Sequence, residues 1–483
     1  MKLLAVLSHR LRRLPRRRTA LPRRVPRPAG LPLLALLALL AAVPAHPGTL
    51  EVSRIREKIF PSGLRLLVKE EHAAPLAAVQ VWVQGGGLYE TKETSGTAHV
   101  IEHLVFKGTA TGEPGSIDEE IESVGGLLSA QTEKDWTQFS CTVAGRYAER
   151  VVGVIGEALR KPAFRPKDLD DERSILLEEV QNVQRSVELA IPQQLYAMAY
   201  RTHPYQFDVR GTGEFVRGIT PDAVRAYYER HYLPANITVV IVGDVDTAGI
   251  TAAVEKAFDA GKPATAQPAP LPQPELPGSL PQRKVEPVPI PNGILGLAYP
   301  APAIADEAEV AAMDLLLTLL EHQGSGRLPR AVGNGAAVSA GFTTRRHHGL
   351  FTVTAVTAPG SVEAIEGRLR REIDFLRANP VPEAELTLAK RILAGTYRMD
   401  NEPYSGQASS LGYYAAIGNW RFACEYPAKV QAVTAEQLQE VARKYLVQEK
   451  SVAYILRPEG DDRPAPAPDT QCAPAAAAQE GSR

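Results

Sequence analysis

The sequence predicts an α+β fold made of two similar domains, and three features of the chain support this. Strand-like segments that look antiparallel mix with helical segments through residues 52–261, which indicates α+β. Residues 294–456 echo that order, which suggests an internal duplication. Residues 262–293 are rich in proline and have the composition of an extended, semi-rigid linker between the two halves.

The individual elements follow from local periodicity and propensity. In the first half, two strands joined by a polar turn are predicted at 66–68 and 77–83, and a third strand at 137–144, with helices at 116–124 and 148–159. In the second half, the pattern predicts strands at 294–299 and 350–357 and helices at 307–320, 363–377 and 383–398. Residues 457–483 are charged and proline-rich and are predicted to be a disordered tail.

The start of the chain has the pattern of a secretory signal peptide at residues 1–45. Arginine is frequent up to residue 30, no acidic residue precedes Glu51, and a short Leu/Ala-rich run leads to small residues near Ala45. The run is shorter than the roughly 20 residues that cross a membrane. We therefore expect an exported, periplasmic protein without a stable membrane span after cleavage. An uncleaved membrane anchor and a mitochondrial presequence with matrix localisation stay open as alternatives.

Composition and charge narrow the class of partner. The chain has 44% hydrophobic and 23% charged residues, which are globular values, and a net charge of −1. That charge argues against nucleic acid or an acidic membrane as the main partner. The cysteines Cys141, Cys424 and Cys472 do not form a disulfide scaffold, and Cys141 is expected to be a buried thiol.

A His-x-x-Glu-His motif carries the clearest chemical signal. His99 and His103 are four residues apart, so on a helix both imidazoles lie on one face, one turn apart. Two imidazoles in that arrangement can both reach one tetrahedral zinc ion. Glu102 lies beside the same edge, where it could take a proton from a metal-bound water.

The segment from Thr97 to Gly108 that carries this motif is predicted to be helical, because apolar residues recur at helical spacing: Val100, Ile101, Leu104 and Val105. Ser95 and Thr97 are candidates to cap its first turn, and Gly108 fits just past its end.

A third candidate ligand lies in a predicted helix at 168–183. One face of that helix combines Glu172 and Glu179 with the apolar residues Ile175, Leu176, Val180 and Val183. Carboxylates in an apolar stripe are costly to bury without strong partners. Glu179 is therefore either a metal ligand or a carboxylate that pairs with an arginine or reaches solvent at the edge of the stripe. Glu178 points elsewhere and is expected to be solvated.

With these residues, the chain resembles the insulinase/pitrilysin-type zinc peptidases, the inverzincins. Glu179 follows His103 by 76 residues and Glu172 precedes Glu179 by seven, which matches the family's spacing. The similarity extends over residues 52–456 and includes Gly125-Gly126-Leu127-Leu128-Ser129-Ala130-Gln131-Thr132, His203-Pro204-Tyr205 with Gly211, and residues 232–245. It implies two homologous α/β-sandwich domains, each a mixed sheet with helices packed on it.

The resemblance also implies the roles of the site residues. It implies one zinc ion per chain held by His99, His103 and Glu179, with Glu102 as general base and Glu172 supporting the ligands. The implied activity is that of a zinc endopeptidase, which cleaves oligopeptides or unfolded polypeptides by Glu-assisted attack of zinc-bound water. The alternative is a weakly active or inactive scaffold or binding subunit of an envelope or organelle peptidase complex.

The substrate would add as a strand to the edge segment at 128–132, with contacts from Ser129, Ala130 and Thr132. Ser129 stands where the family usually has asparagine. Such additions are held by main-chain hydrogen bonds.

One departure from the family pattern suggests a second subunit. Active members use an arginine and a tyrosine from the second domain or from a partner, but residues 325–339 contain no tyrosine, and Val338 stands where one is expected. Arg327 and Arg330 are then expected to support the fold. This resembles the catalytic chain of two-subunit, processing-peptidase-like members and predicts a heterodimer whose partner supplies the Arg/Tyr pair.

Two further segments receive structural interpretations. His347-His348 beside Arg345-Arg346 is interpreted as a solvated charged turn and not as a second metal site. His203-Pro204-Tyr205 is interpreted as a structural loop that packs over the cleft.

Overall fold

The computed structural model describes residues 50–109, 112, 115–263, 266–278, 282–322 and 326–460. The predicted signal peptide at 1–45 and the part of the predicted tail from residue 461 onward lie outside these described residues. Within them, no helix combines the length and the apolar character needed to cross a membrane.

The first half of the chain contributes six strands and eight helices to the described structure. The strands are β1 (Arg56–Ile59), β2 (Arg65–Glu70), β3 (Leu76–Gln84), β4 (Ser129–Thr132), β5 (Trp136–Ala144) and β6 (Ile237–Gly243). The helices are α1 (Thr97–Leu104), α2 (Ser116–Glu122), α3 (Ala148–Arg160), α4 (Pro166–Arg185), α5 (Val187–Ala199), α6 (Gly213–Gly218), α7 (Pro221–His231) and α8 (Thr247–Ala257).

The second half contributes five strands and seven helices. The strands are β7 (Gln282–Val288), β8 (Gly293–Pro300), β9 (Ala336–Phe342), β10 (Leu350–Thr357) and β11 (Val452–Pro458). The helices are α9 (Glu307–Glu321), α10 (Arg327–Val332), α11 (Val362–Ala378), α12 (Glu383–Asp400), α13 (Tyr404–Ile417), α14 (Arg421–Ala432) and α15 (Ala435–Tyr445).

Each half forms one mixed sheet with helices packed on it, as the family resemblance implies. The first sheet has the order β1-β2-β6-β3-β5-β4, with β6 parallel to β2 and antiparallel to β3. The two strands joined by the polar turn, β2 and β3, are therefore not paired with each other. β6 is inserted between them. All seven of its residues are buried, as expected for a strand in the centre of a sheet. β4 lies at one edge.

The second sheet has the order β7-β11-β8-β10-β9 and begins earlier than predicted. β7 lies inside the stretch interpreted as linker and pairs in parallel with β11, which itself continues to Pro458, into the predicted tail. The prolines that suggested a linker lie at 263–281 and precede this strand. Pro287, inside β7, lies on an edge strand, where the missing N–H breaks no essential ladder bond.

The two halves exchange helices. α5, from the first half, packs on β8, β10 and β11, whereas α13, from the second half, packs on β3, β5 and β6. The contact is close: a Cβ atom on Gly412 of α13 would come within 2.0 Å of the Trp82 Nε1 atom. The buried ammonium of Lys69 in β2 also donates to Gln407 of α13, at 2.7 Å. These contacts fix the second half relative to the first.

A buried polar cluster also joins the halves, in place of the solvated turn predicted around His347. We define the interdomain polar cluster as Asp135, His203, Tyr205, Arg345 and His347, all of which are buried. His203 Nε2 lies 2.7 Å from His347 Nδ1, and the Tyr205 hydroxyl donates to the Asp135 carboxylate. The sequence interpretation was wrong here because the partners of Arg345 and His347 lie in the first half. His203-Pro204-Tyr205 is a structural loop at this contact.

The tautomer of His203 is fixed by its two hydrogen bonds. Its Nδ1 accepts from the Tyr205 backbone N–H at 3.2 Å, so Nε2 carries the proton and donates to His347. Burial, reinforced by His347, lowers the pKa of His203 to about 4, although Asp135 and Glu275 act in the opposite direction. The ring is therefore neutral in the folded protein near neutral pH.

We expect the chain to lose stability as the pH falls from about 6.5 to about 4, partly through His203. In that window the His203 ring binds a proton in the unfolded chain but stays neutral in the folded protein. This difference lowers the free energy of unfolding by roughly 3 kcal/mol at the acid end. Urea unfolding at several pH values checks this, with His203→Gln expected to reduce the loss. The matched control is His72→Gln, because His72 is exposed and its pKa is raised by Asp244. Equal pH dependence in wild type and His203→Gln would contradict the assignment.

Candidate active site

Helix α1 places the two histidines of the motif side by side. His99 and His103 lie one turn apart, with ring centroids separated by 4.8 Å. Val100, Ile101 and Leu104 point into the core of the first half and are almost completely buried. The apolar positions thus fix the rotation of the helix and direct its polar edge toward the cleft.

The start of α1 is held by Glu90, a residue that sequence reasoning missed. Its carboxylate accepts the backbone N–H groups of Gly96 and Ala98, both at 2.9 Å. The hydroxyls of Ser95 and Thr97, which were the predicted caps, donate to backbone carbonyls instead. Burial raises the pKa of Glu90 to about 8, although the two N–H groups act in the opposite direction. Glu90 could not be recognised from spacing because it lies six residues before the N-cap.

Helix α4 brings the second set of carboxylates to the same place. Glu172 is buried together with Leu176, Val180 and Val183, and Glu179 is half-buried on the side facing α1. Glu178 is exposed, as predicted. Ile175 does not belong to the buried face and is 46% exposed. The buried stripe is narrower than predicted, because it follows 172, 176, 180 and 183 and leaves position 175 at its rim.

The three predicted ligands converge. Glu179 Oε2 lies 3.1 Å from His99 Nε2 and 3.7 Å from His103 Nε2. Ligands at about 2.0–2.1 Å around a tetrahedral zinc ion would be separated by about 3.3 Å. Among the described residues these three form the one group of His, Cys, Asp or Glu side chains that could hold a metal. The donor set therefore fits zinc, and the contacts favour the ligand interpretation of Glu179 over pairing with an arginine.

Glu172 supports this group from behind. Its carboxylate oxygens lie 2.9 Å from His103 Nδ1 and 2.6 Å from Lys107 Nζ. Burial raises the pKa of Glu172, but the hydrogen bonds from Lys107 and His103 outweigh it and hold the pKa below its usual value. An ionised Glu172 keeps the proton of His103 on Nδ1, so Nε2 offers its lone pair to a metal.

Glu102 faces a cleft of about 300 Å³ that also contains the side chains of the three predicted ligands. Its Oε2 atom is buried and has no hydrogen-bond partner in the described part of the chain, which suits a group that accepts a proton from a bound molecule. The remaining lining residues are Ala130, Gln131, Thr132, Glu133, Lys134, Gln193, Asp208, Val209 and Arg210.

Strand β4 forms one wall of this cleft, and its other side pairs with β5. Of the predicted substrate-binding residues, Ala130 and Thr132 line the cleft, whereas Ser129 is exposed at the start of the strand. Gln131 and Arg210 also line the cleft and were not predicted. The edge position of β4 leaves its outer main-chain groups available to an added strand.

The described second-half residues do not reach the lining of this cleft. Arg327 is buried and binds Glu372 at 3.1 Å and Glu385 at 2.9 Å, both within the second half. Arg330 is more exposed and lies 3.9 Å from Glu385. Both arginines support the second half, as predicted. Val338, at the position where a tyrosine was expected, lies in the edge strand β9.

Comparison with known proteins identifies the family. Residues 65–213 match the model described as insulinase (peptidase family M16), and residues 218–393 match the model described as peptidase M16 inactive domain. A probable mitochondrial-processing peptidase subunit beta from Arabidopsis thaliana is 26% identical over 432 residues, which cover 86% of this chain and 81% of the relative. An uncharacterized zinc protease of Bacillus subtilis is 23% identical, covering 84% of this chain and 99% of the relative.

Solved structures support the same fold. A protease from Helicobacter pylori has a TM-score of 0.78 at 21% identity, covering 84% of this chain and 99% of that one. A structure described as a peptidase M16 inactive domain from Pseudomonas fluorescens has a TM-score of 0.75 at 22% identity, covering 85% and 100%. With its two sheets and both family models matched in order, this chain belongs to the insulinase-type M16 peptidase family.

Proposed function

We propose that this chain is a zinc-dependent endopeptidase that cleaves oligopeptides or unfolded polypeptides. The observation that carries the proposal is the buried Oε2 of Glu102, which has no hydrogen-bond partner among the described residues and lies beside the convergent His99, His103 and Glu179 side chains in one cleft. A merely structural metal site needs no such carboxylate next to its ligands.

The chain's own residues would act in a defined order. The outer edge of β4 would bind the peptide by main-chain hydrogen bonds, which would place a carbonyl group near the metal ligands. A bound zinc ion would supply Lewis acidity and lower the pKa of a water molecule. Glu102 would take a proton from the attacking water at its carboxylate and deliver it to the leaving amine nitrogen. Glu172 would hold His103 in the ligating orientation throughout.

We also propose a partner subunit and an exported location. The cleft is lined by first-half residues in the described part of the chain, and it lacks a tyrosine. Two of the similar relatives are named as subunit beta of mitochondrial-processing peptidases, which supports a second chain here that supplies the Arg/Tyr pair. The basic, then apolar pattern of residues 1–45 supports export to the periplasm.

Peptide cleavage before and after removal of zinc tests this function. We expect no cleavage by the chain alone, cleavage when a partner chain lacking the motif is added, loss on chelation and return on adding zinc. Mass spectrometry of an unfolded protein substrate measures the products. Full activity of the monomer would contradict the partner, and activity that survives complete zinc removal would contradict the metal chemistry.

A second candidate is a scaffold or binding subunit of a peptidase complex. The match of residues 218–393 to a model described as an inactive domain is compatible with it. In that case the complex would function equally well with the Glu102→Gln variant, which lacks the carboxylate.

A further inference from the structure

We propose that Arg345, from the second half, is a positioning residue for the substrate-binding edge of the cleft. It acts through the turn at 133–135, which directly follows β4. The inference rests on the proposed function, because it assigns β4 to peptide binding. It also explains how the second half contributes to a cleft that its described residues do not line.

The turn is held by Arg345 across the boundary between the halves. The Arg345 guanidinium lies 3.4 Å from Glu133 Oε2 and 3.5 Å from Asp135 Oδ2 through two different nitrogen atoms. The backbone N–H of Glu133 donates to the Trp136 carbonyl at 2.8 Å and closes the turn. The side chains on either side of Lys134 are thus fixed by one residue more than 200 positions away.

The same turn is also hydrogen-bonded to the segment that leads to Asp208 and Arg210 in the cleft lining. Lys134 Nζ donates to the backbone carbonyls of Tyr205 at 2.8 Å and of Phe207 at 2.7 Å. Asp208 and Arg210, which come one and three residues after Phe207, also line the cleft. The turn therefore contacts two segments of the cleft lining, the end of β4 and the segment around Asp208.

Charge explains why Arg345 is needed at this place. The Asp135 side chain is 1% exposed, so its carboxylate requires a buried cation. Lys134 Nζ donates to the two carbonyls, so in the described part of the chain Arg345 is the cation that lies directly against both Asp135 and Glu133. Without Arg345 the turn would have to rearrange to expose Asp135, and Glu133, which lines the cleft, would be released.

Such a rearrangement would displace Thr132, which is adjacent to the turn. A misplacement of about 1 Å at a substrate-positioning group can lower the reaction rate about 100-fold. We therefore expect Arg345 to affect peptide binding without touching the metal ligands.

Arg327 offers a matched control. Arg327 and Arg345 are both 7% exposed, and each pairs with two carboxylates. The partners of Arg327 lie in the second half, whereas those of Arg345 lie at the cleft. Comparing Arg345→Met with Arg327→Met therefore separates the loss of a buried arginine from the loss of this particular connection.

The experiment uses the full chain, zinc-loaded and carrying Glu102→Gln, with a fluorescent unfolded-polypeptide fragment as probe. For Arg345→Met we expect peptide affinity to fall by between about tenfold and 100-fold, with zinc per chain unchanged and faster amide hydrogen exchange at 129–137. Arg345→Lys should restore part of both. Arg327→Met should lower the unfolding midpoint and leave peptide affinity and exchange at 129–137 unchanged.

Equal peptide affinity and equal exchange at 129–137 in Arg345→Met and Arg327→Met would overturn the inference. If Arg345→Met does not fold, Arg345→Lys and Glu133→Gln decide by the same exchange measurement, since each weakens the connection more mildly. The exchange readout requires neither turnover nor bound peptide. Failure of the zinc-loaded wild type to cleave peptides in the presence of its partner chain would therefore contradict the proposed function, and unchanged exchange would contradict this inference separately.

Discussion

Glu102→Gln is expected to lower peptide cleavage by on the order of 10³-fold while zinc binding and folding stay at wild-type levels. The amide keeps the size of the side chain but cannot accept a proton at the position where Oε2 is buried and unpartnered. The three proposed metal ligands are unchanged, so zinc per chain should not fall. The loss should appear in kcat, because the proposed role of the carboxylate is to act on the reacting water and the leaving amine.

Single-turnover cleavage by the chain with its partner, together with zinc analysis of the same sample, measures this effect. Glu93→Gln is a suitable control, because Glu93 precedes the motif helix but is exposed and contacts Thr91. Wild-type cleavage by Glu102→Gln would exclude Glu102 as the base. If the complex functions equally well with the wild type and with Glu102→Gln, and the wild type shows no measurable cleavage, the scaffold role would be favoured.

The arrangement around the histidines could be predicted because it depends on helical periodicity. His99 and His103 are four residues apart, and Glu172 and Glu179 are seven apart, so each pair falls on one face of its own helix. That the two helices meet was suggested by the family resemblance and not by periodicity. The structure brings these side chains together at hydrogen-bonding distances, while their roles as ligands and base stay predictions.

The residues that sequence reasoning missed act over long distances or outside regular patterns. Glu90 caps α1 from the segment before it, where no capping pattern places an acceptor. Arg345 and His347 looked solvated because the sequence around them is charged, but their partners lie 144 to 212 residues earlier in the chain. Burial of such groups depends on tertiary contacts, which local composition does not reveal.

In the fold, too, local elements could be predicted from the sequence, whereas long-range pairings could not. The strands and helices that were predicted lie within a few residues of their observed bounds, and the existence of two α+β halves is confirmed, but other elements, such as α5, α13 and β9, were not predicted. The insertion of β6 between β2 and β3, and the exchange of α5 and α13 between the halves, were not predicted. Both are pairings of segments far apart in sequence, and periodicity gives the buried face of a segment without naming its partner.

Glu179→Ala is expected to abolish stoichiometric zinc binding, and with it peptide cleavage. Its carboxylate lies within 3.1 Å of His99 Nε2 and 3.7 Å of His103 Nε2, so its removal leaves two nitrogen ligands on one helix. Loss of a group that merely orients a ligand costs about 10–100-fold in metal affinity. Loss of one of three proposed protein ligands should lower the metal affinity by more than this. Zinc analysis after dialysis against a weak chelator, with a competition titration, measures the change.

Glu178→Ala is the matched control, because Glu178 is the adjacent residue on α4 and is exposed. It removes the same charge and the same side chain from the same helix turn, so any effect of helix propensity or of net charge is shared by the two variants. The assignment of Glu179 as the third ligand requires that Glu178→Ala retains about one zinc per chain, the expectation for a single three-ligand site. Equal zinc retention in both variants would remove Glu179 from the site and leave His99 and His103 without a third ligand from the described chain. A well-folded wild type without zinc would make the motif vestigial, and the cleft would then be explained by peptide binding along β4 alone.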